Sequence, residues 1–218
     1  FAVERAQEIL YVLNKLFLES RIPPMPVFVD SPLATNVTEV FKKHGECFDA
    51  EMLELMASNN NPFYLELVQY TASVEESKAI NDYKKPCIIL SATGMCEAGR
   101  ILHHLKNNIG DPNCTIMIVG YQAQNTLGRR LVDGEKVVSI FGEPHTVNAQ
   151  VKVINEFSGH AGSKALINFI KRANEDGRLK KIFLVHGEPK EQEEMMQKLA
   201  EQGIRHVYNP EQGYEEII

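Results

Sequence analysis

The segment from residue 91 to residue 100 carries the side chains best suited to binding an anion. It reads Ser-Ala-Thr-Gly-Met-Cys-Glu-Ala-Gly-Arg and follows the apolar run 87–90, which predicts a buried strand leading into a helix. Backbone N–H groups at such a turn favour phosphate. Ser91, Gly94 and Arg100 are therefore candidate phosphate-binding residues of this Ser91 loop (residues 91–100). The alternative interpretation is a strand-to-helix turn with an N-cap and a solvated arginine, and this loop alone does not decide between them.

A second polar segment, the Gly120 loop (residues 120–130), follows the next predicted strand, residues 115–119. It adds amide side chains and two adjacent arginines, so Gly120, Arg129 and Arg130 join the phosphate-binding candidates. Ligands of open α/β sheets bind at the carboxyl ends of the strands, and we expect both loops at that edge. Two such loops favour a phosphate-bearing ligand, although one of the two arginines is expected to lie on a solvated helix face.

Two histidines follow predicted strands in the last third of the chain. His160 lies in Ser-Gly-His-Ala, and His186 lies in Leu-Val-His-Gly-Glu. A histidine in such a place can cap a helix or donate a hydrogen bond in the core. Two at matching strand ends also fit a metal site or an acid–base site. The pair His103 and His104 falls within a predicted helix, where at most one can point inward, and we interpret it as structural.

The elements that must position these residues alternate between strand and helix over the first 145 residues. Apolar spacing predicts helices at 2–20 and about 49–58, whereas short apolar runs predict strands at 27–29, 65–70 and 87–90. This alternation is typical of a doubly wound, mostly parallel α/β sheet. The pattern changes near Gly142, and residues 147–157 alternate as in an antiparallel strand. We therefore predict two domains, 1–145 and 146–218.

Composition agrees with a globular protein that has a substantial core. Hydrophobic residues make up 44% of the chain and charged residues 24%, with a net charge of −6. Residues 1–83 have a net charge of −7 and the remainder +1, so a polyanion should approach the later part more easily. No apolar run reaches the roughly 20 residues of a membrane helix, which predicts no membrane partner.

The four cysteines and the first residues bear on location and extent. Cys47, Cys87, Cys96 and Cys114 have no C-x-x-C spacing, which favours free thiols in a reducing, cytoplasmic compartment. The chain starts with Phe1 and enters a helical pattern at once. We expect it to be a fragment of a longer protein.

Five motifs in a fixed order resemble those of the β-CASP nucleases, a branch of the metallo-β-lactamase superfamily. They are Val29-Asp30-Ser31-Pro32-Leu33-Ala34, Ser91-x-x-Gly94-Met95-x-x-x-Gly99-Arg100, Gly120-Tyr121-Gln122-Ala123 with Thr126-Leu127-Gly128-Arg129, Ser158-Gly159-His160-Ala161 and Val185-His186-Gly187-Glu188. The resemblance covers nearly the whole chain. It implies that residues 1–145 are a β-CASP domain and that residues 146–218 are the C-terminal portion of a metallo-β-lactamase domain.

The resemblance also implies an activity and a division of roles. His160 matches the family's motif B, beside the scissile phosphate, and His186 matches motif C, which ligates one of two zinc ions. A histidine at motif C is associated with RNA-cleaving members. The implied reaction is two-metal hydrolysis of single-stranded RNA, with the two loops holding backbone phosphates in the interdomain cleft.

One departure from the family pattern limits what this chain can do alone. The family's His-x-His-x-Asp-His string is absent, and zinc needs roughly three or four protein ligands. We expect the chain by itself to be inactive, to lose zinc, and to need the N-terminal half of the metallo-β-lactamase domain as a partner. A homodimer also stays open.

Two other functions remain alternatives from the residues. One is a non-catalytic β-CASP scaffold subunit of an RNA-processing complex, which the sequence upstream of Phe1 would decide. The other is a nucleotide-binding α/β domain with a mononucleotide on the Ser91 loop. Neither of the two usual glycine-rich nucleotide signatures occurs in the chain, which argues against it.

Overall fold

The structure, a computed structural model, describes residues 4–58, 61–63, 66–154, 157 and 161–215. The chain divides into two compact units, residues 1–158 and 159–218. The boundary predicted at residue 145 separates two domains of the family, whereas these units are defined by their internal contacts. The boundary at residue 145 therefore stays a prediction. No helix in the described part is both long enough and apolar enough to cross a membrane.

The first unit begins with helices packed on a short parallel sheet. The elements are α1 (Arg5–Leu18), β1 (Val27–Asp30), α2 (Pro32–Lys43), α3 (Ala50–Ala57), β2 (Val68–Tyr70), α4 (Val74–Ala79) and β3 (Ile88–Ser91). The sheet has the order β2-β1-β3, with all pairs parallel. β1 is buried along its whole length. It packs with one face of α1 around Leu10, Val27 and Val29, as expected for a central strand covered by helices.

The second part of this unit has its own core. Its elements are α5 (Arg100–Asn108), β4 (Thr115–Ile118), α6 (Leu127–Val132), β5 (Val137–Ile140), β6 (Glu143–Thr146) and β7 (Gln150–Val153). β4 pairs with β7, and β5 and β6 form an antiparallel hairpin. The buried cluster has members from α5, β4, α6 and β5, among them Leu105, Ile118, Leu131 and Ile140.

Local sequence signals account for several element ends. Ser31 caps α2 by accepting a hydrogen bond from the Ala34 amide, and Pro32 occupies the first turn. Ser73 and Glu76 form a capping box at the start of α4. Both caps involve residues only three positions apart in the chain, so the local sequence is sufficient to specify them.

Two expectations about the sheet need correction. The strands described in the first unit form two separate parallel sheets and a hairpin rather than one doubly wound sheet, although the α/β class is confirmed. The predicted antiparallel strand at 147–157 is wrong in direction, since β7 runs parallel to β4 with Thr115 opposite Gln150. Alternation of side chains indicates which face is buried and carries no information on strand direction.

The second unit contains α7 (Ser163–Ala173), β8 (Ile182–Phe183), α8 (Pro189–Glu201) and β9 (Val207–Tyr208). β8 and β9 pair in parallel. Within this unit Leu199 of α8 is fully buried, whereas no residue of α7 is buried. The strongly amphipathic α7 therefore presents apolar side chains that nothing in the described part of its unit covers.

Candidate functional site

The Ser91 loop is a compact turn between β3 and α5. Within it, the Thr93 amide and hydroxyl both donate to the carbonyl oxygen of Ala98, at 3.1 and 3.2 Å. Gly99 has φ +85°, and a Cβ there would lie 2.7 Å from the carbonyl oxygen of Ala92. Only glycine fits at this close approach, because both the conformation and the space exclude a side chain.

One of the backbone N–H groups at the start of α5, where an anion was predicted to bind, is already hydrogen-bonded within the Ser91 loop. The Ile101 amide, in the first turn of α5, donates to the Ala92 carbonyl at 3.3 Å. Gly99 supplies no side-chain cap. A phosphate at this turn would therefore meet the remaining backbone donors and the Ser91 side chain, whose hydroxyl donates to the carbonyl of Asp30 at 3.1 Å.

Asp30, at the end of β1, is a buried carboxylate beneath the Ser91 loop. It has no solvent exposure. Ser77 donates to Oδ2 at 2.6 Å, Thr71 donates to Oδ1, and His104 Nε2 lies 2.5 Å from Oδ2. Burial by itself raises the pKa of Asp30, but the hydrogen bonds from Ser77, Thr71, His104 and Arg100 outweigh burial and hold the pKa below its ordinary value.

Arg100 lies on this carboxylate. Its Nη1 donates to Asp30 Oδ1 at 2.7 Å, and its Nη2 donates to the carbonyl of Ala72 at 2.9 Å. A further contact of 3.3 Å joins Nη1 to the Thr71 carbonyl. The side chain is 17% exposed. The alternative of a solvated arginine is therefore wrong for this residue, and phosphate binding by Arg100 stays a prediction.

His104 points inward and His103 does not, as expected for neighbours on a helix. His104 is 5% exposed and reaches Asp30, whereas His103 is exposed and stacks on Phe141 with ring centres 4.8 Å apart. Nδ1 of His104 is buried without a hydrogen-bond partner among the described residues. The prediction that at most one of the two points inward is confirmed, and the interpretation of the pair as structural stays a prediction.

The Gly120 loop is joined directly to the Ser91 loop. The buried Gln122 donates through Nε2 to the carbonyl oxygens of Gly94 at 2.9 Å and Gly120 at 3.0 Å. The Gly128 amide donates to the Met95 carbonyl at 3.0 Å. β3 and β4 lie in separate sheets, yet these bonds hold the two loops side by side.

The start of α6 carries one further link between the loops and a glycine that their packing requires. The Leu127 amide donates to the Glu97 carboxylate, so a negative group of the Ser91 loop already occupies this helix end. Gly128 leaves no room for a side chain, since a Cβ there would lie 1.7 Å from Gln122 Oε1. The close packing of the two loops therefore depends on a glycine at 128.

The two arginines of α6 differ in surroundings. Arg129 Nε donates to both carboxylate oxygens of Asp133 at 2.9 Å, and the side chain is 38% exposed. Arg130 is half-buried, and its Nε is buried without a hydrogen-bond partner in the described part of the chain. Arg129 is the more accessible of the two to a ligand in solution.

His186 lies on a tight turn after β8. It has φ +73° and is followed by Gly187 at φ +94°. The turn is held by Gln192 of α8, which donates to the His186 carbonyl at 2.8 Å. A non-glycine residue with positive φ is uncommon, though histidine is among the residues enriched there. Such conformations cluster at functional sites.

The imidazole of His186 is exposed on an open cavity of about 990 Å³ within the second unit. The lining includes Phe183, Val185, Glu211 and Tyr214. Among residues 4–58, 61–63, 66–154, 157 and 161–215, no three histidine, cysteine or acidic residues come together to hold a metal. Of the two histidines predicted to take part in hydrolysis, His186 is the one that lies among the described residues.

His160, the predicted catalytic residue, falls outside the described residues. Its position relative to His186 therefore stays a prediction. Sequence reasoning missed Asp30, Gln122 and Glu97 as organisers of the two loops. Asp30 offered one signal, because an acidic residue at the end of an apolar strand is buried only when it is paired.

Comparison with known proteins identifies the family. Residues 6–131 match the Beta-Casp domain, and residues 144–210 match the Zn-dependent metallo-hydrolase RNA specificity domain. The chain belongs to the β-CASP family. This result confirms the resemblance inferred from the five motifs, and it places both polar loops in the β-CASP domain.

Curated relatives of this β-CASP chain have names connected with RNA. A ribonuclease of Thermus thermophilus is 39% identical over 191 residues, covering 86% of this chain and 42% of the relative. Transcription termination factor FttA of Methanosarcina mazei is 32% identical, covering 87% and 30%. An RNase J-like protein of Methanocaldococcus jannaschii is 31% identical, covering 86% and 42%. The chain spans less than half the length of these relatives.

Proposed function

We propose that this chain is the second half of a longer zinc-dependent ribonuclease, called here the complete protein, which hydrolyses phosphodiester bonds of single-stranded RNA. The observation that carries the proposal is the junction of the Ser91 and Gly120 loops within a β-CASP domain. The two joined loops carry hydroxyls, backbone amides and arginines, which we propose to act on one ligand. Such a set is suited to a phosphate backbone and needs no base contacts.

The proposed phosphate-binding surface contains Ser91, Gly94, Arg100, Gly120, Arg129 and Arg130. Arg129 is the member best placed for direct contact, because its side chain is 38% exposed beside Asp133. Guanidinium groups suit phosphate since they can donate two hydrogen bonds at once. Arg100 is less accessible than Arg129, because its guanidinium group lies on the buried carboxylate of Asp30 and its side chain is 17% exposed.

The hydrolytic step requires groups that this chain does not supply alone. His186 is proposed as one zinc ligand and His160 as the group beside the scissile phosphate. The name of the domain matched by residues 144–210 supports a zinc-dependent hydrolase. The other ligands of the two zinc ions would come from the remainder of the complete protein, and the chain alone would not retain the metal.

The second unit offers a surface for that missing half. Phe169 of α7 is 70% exposed and Val185, next to His186, is 72% exposed. A contiguous exposed apolar patch is typical of an interaction surface, and we propose that these two side chains belong to one. We propose that the N-terminal half of the metallo-β-lactamase domain packs there in the cytoplasmic protein. A homodimer is the competing occupant.

The test is cleavage by the complete protein of one labelled single-stranded sequence, made as RNA and as DNA. We expect chelator-sensitive cleavage of the RNA and at least tenfold slower cleavage of the DNA. A tenfold difference in rate corresponds to about 1.4 kcal/mol in activation free energy. Absence of cleavage by the zinc-loaded protein would refute the proposal.

A non-catalytic role in an RNA-processing complex is the second candidate. It is favoured by the relatives named transcription termination factor, a name that does not mention a nuclease. RNA binding with no cleavage in the same assay would support it. Tight binding of a mononucleotide without binding of RNA would instead support the nucleotide-binding alternative.

A further inference from the structure

Asp30 is bonded to both ends of the Ser91 loop. At the first end, Ser91 pairs with Asp30 in the parallel register of β1 and β3, and its hydroxyl donates to the Asp30 carbonyl at 3.1 Å. At the last end, Arg100 and His104 contact the Asp30 carboxylate at 2.7 and 2.5 Å. One residue therefore fixes where the loop leaves the sheet and where it enters the helix.

The contacts from α5 come from one face of the helix. Arg100 and His104 are four residues apart, which places them on the same side, one turn from each other. Thr71 and Ser77 donate to the carboxylate from the segment that leads into α4 and from α4 itself. These five residues are the Asp30 cluster: Asp30, Thr71, Ser77, Arg100 and His104.

Stability alone does not explain a cluster of this kind. Replacing a buried ion pair by apolar residues of similar volume is often neutral or stabilising, because removing charges from water is costly. Directional bonds to a carboxylate do fix the relative placement of the groups they join. The Asp30 cluster is therefore better suited to setting the geometry of the loop above it than to adding stability.

We propose that Asp30 is a positioning residue that acts through Arg100 and His104 to hold the Ser91 loop in the shape that receives an RNA phosphate. For Arg100 this revises the assignment made under the proposed function: Arg100 contributes to RNA binding by holding the loop, and it does not itself donate to a phosphate. This inference rests on the proposed RNA-binding function. A negatively charged carboxylate is expected to repel RNA, whereas this inference makes the Asp30 carboxylate necessary for RNA binding.

The sign of the Asp30→Asn effect separates the two views. If Asp30 acted only by its charge, removing that charge would strengthen RNA binding. If Asp30 positions the loop, RNA binding by the complete protein should weaken, by about tenfold for a coupling of this kind. Affinity for a short single-stranded RNA is measured at several salt concentrations, well below the melting temperature of each variant.

Arg100→Gln and the double variant test whether Arg100 works through Asp30. We expect Arg100→Gln to weaken binding about as much as Asp30→Asn, and the double variant to bind no more weakly than the worse single variant. The log–log salt slope should stay at the wild-type value. A slope smaller by roughly 0.7, with additive losses, would make Arg100 a direct phosphate ligand and overturn the proposal.

A control variant separates positioning from loss of fold. Leu10→Ala removes a fully buried side chain from the cluster around β1 and should lower the melting temperature while leaving RNA affinity unchanged once the protein is folded. If Leu10→Ala weakens RNA binding as much as Asp30→Asn does, the Asp30 cluster serves stability alone.

Hydrogen exchange tests the positioning role of Asp30 without RNA binding or RNA cleavage. Amides of residues 92–99 should exchange faster in Asp30→Asn than in wild type without RNA present, with little change in β5 and β6. Unchanged exchange would overturn the positioning role. If wild-type protein fails to bind RNA, the proposed function fails, and the exchange result still decides whether Asp30 shapes the loop.

Discussion

At the scale of single residues, His160 and His186 should have separable roles in the complete protein. His186→Ala is expected to lower the zinc content as well as cleavage, because an imidazole ligand is lost. His160→Ala should reduce cleavage by roughly 10²- to 10⁴-fold, as for loss of a general acid, with zinc content nearly intact. Metal analysis and RNA cleavage are measured on the same preparations. Equal loss of metal in both variants would show that the division of roles is wrong.

Arg129 should make one phosphate contact. Arg129→Ala is expected to weaken binding to all single-stranded sequences alike and to reduce the log–log salt slope by roughly 0.7. Asp133→Asn is the matched control, because Asp133 accepts from Arg129 Nε at 2.9 Å and competes with phosphate. That variant should bind RNA more tightly. An unchanged slope and affinity in Arg129→Ala would return Arg129 to the role of a surface charge.

Asp30 should make stability depend on acid pH. Its pKa in the folded protein is lowered from 3.8, so its stabilising contribution is fully present above pH 3.8 and is lost as pH falls through the lower folded value. The free energy of unfolding should therefore fall more steeply below pH 4 in wild type than in Asp30→Asn. At neutral pH, Asp30→Asn should lower the free energy of unfolding by about 1–3 kcal/mol, because the buried donors around Asp30 lose a charged acceptor.

The control for this pH dependence is Asp82→Asn, which replaces an exposed carboxylate in the same unit. Denaturant titrations from pH 2.5 to pH 7 provide the measurement. If the free energy of unfolding falls with the same slope below pH 4 in wild type and in Asp30→Asn, the pKa of Asp30 is not lowered in the folded protein.

At the scale of elements, the junction of the two loops depends on Gly128. Gly128→Ala places a Cβ against Gln122 Oε1, and overpacking of this kind costs about 1–3 kcal/mol. The variant should also weaken RNA binding, because the Gly120 loop would move away from Gly94. Gly134→Ala is a matched control for backbone effects, since Gly134 has φ +80° but an open space around its Cβ position. It should lower stability without changing RNA affinity.

Sequence patterns predicted the elements better than their pairing. The caps at Ser31 and Ser73 were predictable because each depends on residues three positions apart. The parallel pairing of β4 with β7 was not, since it joins Thr115 to Gln150 across α6 and a hairpin. Such pairing is decided by packing between distant segments, which the spacing of apolar residues does not report.

The candidate site was predictable in part for the same reason. The two loops were found from their glycines, amides and arginines, which are contiguous in the chain. The Asp30 cluster was missed because Asp30 and His104 are 74 positions apart. Gln122 was missed because a single glutamine gives no signal that its amide is buried and joins two loops.

At the scale of the whole molecule, the uneven charge fits the proposed binding surface. Residues 1–83 have a net charge of −7 and the remaining residues +1. The Ser91 and Gly120 loops lie in the less acidic part, where a polyanion meets less repulsion. The exposed apolar side chains of α7, among them Phe169, belong to the surface proposed above for the remainder of the complete protein.

RNA cleavage measured side by side for this 218-residue chain and for the complete protein tests the central claim most directly. Both are incubated with the same labelled single-stranded RNA and zinc, with and without a chelator. The complete protein should cleave the RNA, and the chelator should stop cleavage. The chain alone should be folded, free of stoichiometric zinc after dialysis and inactive. Chelator-sensitive cleavage by the chain alone, or none by the zinc-loaded complete protein, would contradict this account.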